Sequence, residues 1–119
     1  MKLYAIVSNQ AVAASGGNRG KIGAQLGHAY VHSVIDAMKR FPHSVTAYLG
    51  TGVVGKVCLA ADEEVLRELV ELYQPRCGVF LVTDAAKTVF KVPMITALGI
   101  GPINPDDRED ILANLRPWI

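Results

Sequence analysis

Residues 56–82 read KVCLAADEEVLRELVELYQPRCGVFLV, and the periodicity changes twice along them. Lys56 to Ala60 alternates enough for a strand. Asp62 is a good N-cap, Glu63 and Glu64 suit a first helical turn, and Val65, Leu66, Leu69, Val70, Leu72 and Tyr73 give one apolar helix face that ends before Pro75. Gly78 resets the chain, and Val79 to Val82 is an unbroken apolar run of buried-strand type. A strand, a helix and a strand in succession set the class: helices packed on a sheet.

Working outward, the same grammar repeats. Leu3 to Val7 is a short apolar strand, Asn9 to Gly20 a loop rich in small residues, and Lys21 to about Arg40 a long helix closed by Phe41-Pro42. Ile22, Leu26, Tyr30, Val34 and Met38 recur every four residues as its expected core stripe. Val45 to Leu49 reads as a short strand or a helix extension, Thr51-Gly52 as a turn, Asp84 to Lys87 as a loop, Thr88 to Val92 as a short extended segment and Thr96 to Ile100 as a strand. Asn104-Pro105 caps a final short helix over Asp106 to Leu115. With no internal repeat, the 119 residues predict a single domain, 1–119, of α/β class: a sandwich of helices around a small mixed sheet.

Composition narrows the function classes. Half the residues are hydrophobic, which excludes a disordered chain. The opening apolar run is too short for a secretory signal or a membrane span, so a cytoplasmic protein is expected. Cys58 and Cys77 lack CxxC spacing and read as reduced structural thiols. The net charge is only +1, yet nine of the acids fall in two blocks, 62–71 and 106–110, and outside those blocks ten cations face only Asp36 and Asp84. That leaves either two solvated acidic helices or a basic footprint for a polyanion, to which Arg19, Lys87 and Lys91 would contribute.

Lys21 is anomalous. It stands where the long helix begins, and a helix N-terminus disfavours a cation. At 100° per residue Lys21, Gln25, His28, His32 and Asp36 share one polar flank. An ordinary solvated face is one reading of that flank. A metal site is another, but residues eight apart lie about 12 Å apart along the axis, so only His28 and His32 could share an ion. Taken alone, Asp84 reads as an Asx turn and Thr88 as a β-former. His28 reads equally as a base titrating near neutrality or as a packed helix residue.

Gly20-Lys21-Ile22-Gly23-Ala24-Gln25-Leu26-Gly27-His28-Ala29 resembles the opening of the first helix in the second type of peptidyl-tRNA hydrolases, Gly-Lys-x-Ala-Ala-Gln-x-x-His-Ala. Their second signature, Asp-Ala-Gly-Arg-Thr and then Thr-x-Leu-Gly-Ile-Gly-Pro, is similar to Asp84-Ala85-Ala86-Lys87-Thr88 with Thr96-Ala97-Leu98-Gly99-Ile100-Gly101-Pro102. Gly23, Ala86, Lys87 and Val92-Pro93 depart from the pattern, and an alanine at 86 matters if the backbone there needs a positive φ.

The resemblance implies hydrolysis of the ester joining a peptide, or an N-blocked amino acid, to the 3′ ribose of tRNA. It implies a three-layer sandwich with a four-stranded mixed sheet, a homodimer, and no metal or other cofactor. It carries over Lys21, Asp84 and Thr88 as catalytic residues, with Gln25 and His28 beside them. A lysine joined to helix N–H groups would make an anion site at the expense of folding, so its removal should leave stability unchanged or slightly higher. A non-catalytic RNA-binding module, or a hydrolase of another small ester or amide, fits the same residues.

Overall fold

The computed structural model describes residues 1–86 and 90–118. In chain order these form β1 (Lys2–Ser8), α1 (Asn9–Ala14), α2 (Arg19–Arg40), α3 (Pro42–Gly50), β2 (Lys56–Ala61), α4 (Glu63–Tyr73), β3 (Val79–Asp84), β4 (Met94–Ile103), a 3-10 turn (Pro105–Asp107), α5 (Asp110–Ala113) and β5 (Arg116–Pro117). The sheet order is β3-β4-β1-β2-β5. β1 runs parallel to β2 and antiparallel to β4, which in turn pairs antiparallel with β3. The mixed α/β sheet is as expected, but it has five strands rather than four: Arg116 and Pro117 pair with Ala60 and Leu59 along the outer edge of β2. No helix among the described residues is long and apolar enough to cross a membrane.

Several local readings change. The first half of the expected loop after β1 is α1, because Ser8 accepts a hydrogen bond from the Ala11 N–H and starts a helical turn directly from the strand. The 45–49 segment belongs to α3, which Pro42 opens at its first position. The single short helix expected over Asp106 to Leu115 is instead a 3-10 turn and one four-residue helix. Of the extended segment expected over 88–92, Thr88 and Val89 lie outside the described residues, and Phe90 to Val92 form no strand. Asp62 stands at the N-cap of α4 without capping it. Gln10 of α1 accepts from the Glu63 N–H at 2.9 Å instead, while Asn9 holds the Asp62 carboxylate at 2.8 Å.

Each sheet face carries its own core. Tyr4, Ile6, Leu98 and Ile100 pack with Leu66, Leu69 and Tyr73 of α4 on one face. Ala5, Val7 and Ala97 pack with Ala11 of α1 and Ile22, Leu26 and Ala29 of α2 on the other. The buried face of α2 is not centred on the expected four-residue stripe. Ile22, Leu26, Ala29, Ser33 and Ala37 are buried, whereas Met38 is 57% exposed.

The reason is steric. A Cβ at Gly99 of β4 would overlap the Ala29 carbonyl, and one at Gly78 would overlap the Ser33 carbonyl, so glycines let the small-residue side of α2 rest on the sheet. The polar flank that includes Lys21 and Gln25 is thereby turned along the β3 edge rather than into open water. At the far end of this seam the Asp36 carboxylate accepts from the Val79 N–H and binds Arg40. The Arg40 hydrogen bonds hold that carboxyl below its ordinary range against the opposing effect of burial.

Gly99→Ala should therefore cost more than a normal surface or strand substitution. A loss of about 2–3 kcal/mol in unfolding free energy is expected in urea titration, because α2 must lift off β4 to make room.

Candidate active site

α2 lies antiparallel to β3, which brings the start of the helix to the end of the strand. Asn18 accepts from the Lys21 N–H and caps the helix. Asp84, the last residue of β3, receives the Lys21 ammonium at 2.8 Å between Nζ and Oδ2. The carboxylate side chain is 8% exposed and the lysine 18%, so the pair is largely removed from water while keeping an opening to it. Phe90, fully buried, lies with its ring centroid 6.0 Å from Nζ and supplies apolar backing.

This geometry resolves the lysine anomaly and corrects the expectation attached to it. The charge that the helix terminus disfavours is balanced by a carboxylate, which the same terminus favours. Truncating Lys21 would leave Asp84 buried without its cation, so stability should fall rather than hold or rise. The lysine hydrogen bond, helped by the Ala86 N–H, keeps the Asp84 carboxyl below the usual carboxylate range although burial pushes it up.

Ala86 adopts φ +66°, and its N–H donates to Asp84 Oδ1 at 2.8 Å. Both readings of Asp84 therefore hold: it forms an Asx-type turn with one oxygen and an ion pair with the other. An alanine in the left-handed region costs of order 1 kcal/mol or more, a strain stored in the turn that aims the carboxylate.

One turn beyond Lys21, buried Gln25 accepts at 2.6 Å from the hydroxyl of Thr96, which is itself fully buried. Thr96 reaches it through a β-bulge. Val82 pairs with Ala97 but Thr83 with Ile95, so Thr96 is the extra residue in β4 and turns to the α2 side together with Ala97. With Oε1 engaged, the Gln25 amide nitrogen points away from Thr96 and can donate elsewhere. Thr96 and Phe90 are the members of this neighbourhood that sequence reasoning missed. Thr96 read as an ordinary strand residue, and no periodicity marks a bulge.

The remaining expected residues are placed unequally. His28 is exposed, so it is not packed into the core, and its ring stands 6.0 Å from that of His32. Arg19 is exposed at the first position of α2, and Lys91 is exposed beyond the Asp84 turn. Thr88 and Lys87 lie outside the described residues. No three His, Cys, Asp or Glu side chains converge as metal ligands among the described residues. Cys58 and Cys77 are both free thiols, and burial pushes the Cys77 thiol up to about 11.

Two concavities lie away from the Lys21–Asp84 pair. One of about 460 Å³ is at the opposite end of the sheet, near Tyr73, Arg76 and Arg108. The other, of about 350 Å³, is apolar and lies between α2 and α3. The pair sits on a rim, a location suited to a small reacting group attached to a body too large for a cavity.

The Asp84 shift has a definite acid signature. Its folded value is lowered, so its contribution is complete above the unfolded value of about 4 and is lost as pH falls through the folded value. Urea midpoints of Asp84→Asn should be lower than wild type at neutral pH, and the two curves should converge towards pH 2.

Comparison with known proteins places these residues in a family context. A family model described as peptidyl-tRNA hydrolase PTH2 matches residues 1–117. A peptidyl-tRNA hydrolase of Methanocaldococcus jannaschii is 28% identical over 122 residues, covering 98% of each chain. One from Methanococcus vannielii is 32% identical over 82% of this chain and 85% of its own. A third, from Methanopyrus kandleri, is 34% identical over 82% and 84% respectively.

Proposed function

This chain belongs to the peptidyl-tRNA hydrolase PTH2 family, and on that premise we propose that Lys21 and Asp84 carry the hydrolysis of the ester between a peptide and the 3′ ribose of tRNA. The observation that carries the assignment is the half-enclosed ion pair, 2.8 Å long, at the meeting of a helix start and a strand end. Neither an RNA-binding module without catalysis nor a hydrolase of unrelated small esters is favoured by the family match.

The chemistry follows from charge. A water oxygen bonds to the ester carbonyl carbon, and negative charge develops on the carbonyl oxygen. The Lys21 ammonium, next to the N-terminal N–H groups of α2, stabilises that charge where little water competes. The bond to the 3′ oxygen breaks, that oxygen takes up a proton from the attacking water, and the peptide acid then ionises. Asp84, kept ionised by its partner, fixes the ammonium and accepts a hydrogen bond from the water. Its lowered proton affinity suits orientation better than full deprotonation. Gln25, steadied by Thr96, offers an amide donor one helical turn away. Thr88 joins this group as the third catalytic residue carried over from the family pattern. No metal takes part, and turnover should be the same with and without EDTA.

Exposed Arg19 and Lys91, with Lys87, are the residues assigned to tRNA phosphates. A peptidyl-tRNA substrate puts the enzyme where translation runs, in the cytoplasm.

The active form is a homodimer built on the outer face of α2. On this face Val31 is 58% exposed, Met38 57% and Leu49 of α3 60%, around the apolar groove of about 350 Å³. Gly23 and Gly27, which have nothing within 4 Å of a Cβ position, allow a second helix to approach. Such a patch on a monomer marks an association surface. Ile35 lines the same groove and is itself exposed, and Ile35→Glu is expected to shift sedimentation velocity from dimer to monomer while circular dichroism stays unchanged.

Release of peptide from N-acetyl-aminoacyl-tRNA tests the site. Lys21→Ala should lower kcat by about 100-fold or more if it contacts the oxyanion, and raise KM instead if it only holds phosphate. Asp84→Asn should also lower kcat. Each single variant should lose about 1–3 kcal/mol of stability. The double variant Lys21→Met with Asp84→Asn should recover most of that stability but none of the activity. Wild-type rates in both single variants would remove the pair from the mechanism.

A further inference from the structure

A row of rings follows the pair along the same flank of α2. His28 lies two helical turns from Lys21 and His32 one turn further, about 10 and 16 Å along the axis. The His32 ring stacks on Phe80 of β3, with centroids 4.6 Å apart and planes at 26°, and His28 stands 6.0 Å from His32 on the other side. Phe80 shares with Val82 and Asp84 the α2 side of β3, about 13 Å from Asp84 along the strand. It is 37% exposed, and no other Phe, Tyr or Trp among the described residues is left exposed.

The core does not need this ring. Phe80 belongs to neither core cluster, and its ring lies at the edge of the sheet against the His32 imidazole.

The charges along the row favour a polyanion. The only acid in α2, Asp36, is bound by Arg40, and the only acid in β3, Asp84, is bound by Lys21. Exposed Lys39 falls on the same flank by helical phase, so with both acids paired the flank carries a net positive charge. Ring faces in series beside an exposed lysine, with the acids of both elements already paired, suit single-stranded nucleic acid, whose bases stack on aromatic side chains. A row that begins about 10 Å from Lys21 first meets the fourth nucleotide counted from the esterified one, three steps of about 3.4 Å away.

We infer that His28, His32 and Phe80 form a stacking platform for the unpaired 3′ nucleotides of the tRNA, upstream of the esterified one. The inference rests on the hydrolase reading of the Lys21–Asp84 site and adds to it a subsite that reads the presence of a 3′ strand. It also gives His28 a binding role in place of that of a base, since two helical turns separate it from the reacting pair.

The test uses an acceptor-stem RNA with a single-stranded 3′ end carrying 2-aminopurine as the fourth nucleotide from the end. Wild-type protein should quench its fluorescence by stacking, Phe80→Ala should lose most of the quench, and Phe80→Trp should restore it. In kinetics on N-acetyl-aminoacyl-tRNA, Phe80→Ala should raise KM by about 5- to 100-fold, the range expected for one lost base stack, with kcat within about twofold. The KM for the same N-acetyl-aminoacyl ester of adenosine alone should not move, because that substrate has no upstream bases.

Equal loss on both substrates, a fall in kcat without a change in KM, or a quench indifferent to Phe80 would overturn the platform. If wild-type protein failed to release peptide yet kept a Phe80-dependent quench, the hydrolase reading would fall and the platform would stand. Release of peptide with no quench would have the opposite meaning.

Discussion

The backbone of α2 rests directly on the sheet because positions 78 and 99 carry no side chain, and this close approach determines where every functional group of the helix falls. Ala29, Ser33 and Ala37 are the residues small enough to fill the seam. With that side committed to the sheet, the flank at Lys21 and Gln25 has to run beside β3, and the flank at Val31 and Met38 has to face outward. The ion pair on one flank and the exposed apolar residues on the other are thus two results of one packing decision. Asp36 fixes the seam at one end through the Val79 N–H, and Asp84 closes it at the other.

Between these anchors the sheet is adjusted rather than regular. The bulge at Thr96 spends one residue of β4 to turn a hydroxyl towards Gln25. The left-handed turn at Ala86 spends backbone energy to aim Asp84. Both costs fall beside the Lys21–Asp84 pair, as expected when rigidity elsewhere supports a strained site.

Much of the fold could be read from strong local signals. The strand-helix-strand run 56–82 appears as β2, α4 and β3 with small boundary shifts. The long helix begins two residues before its expected start at Lys21 and ends at Arg40 as expected, because Phe41-Pro42 is a local stop signal. What could not be read depends on distant partners. Gln10 caps a helix more than fifty residues away, so Asp62 looked like the cap. The buried stripe of α2 is rotated by a glycine in β4 and another just before β3, which no helical periodicity can register. Lys21 was identified as exceptional from its position alone, but the stabilising role of its ion pair required knowing that Asp84 arrives at the same point. Ala86 shows the reverse: the condition under which an alanine there matters is met, since its φ is positive.

An open sheet has two outer strands whose unpaired amides invite further strands. Here β2 is covered over Leu59 and Ala60 by a two-residue strand, one half of which is a proline with no N–H to offer and the other a charged arginine. On the opposite border, the irregular register facing β3 increases local twist and makes a poor template for an incoming flat strand. Growth of the sheet from molecule to molecule is discouraged at both margins. The outer face of α2, by contrast, offers exposed apolar side chains such as Val31 and Met38 rather than unpaired strand amides.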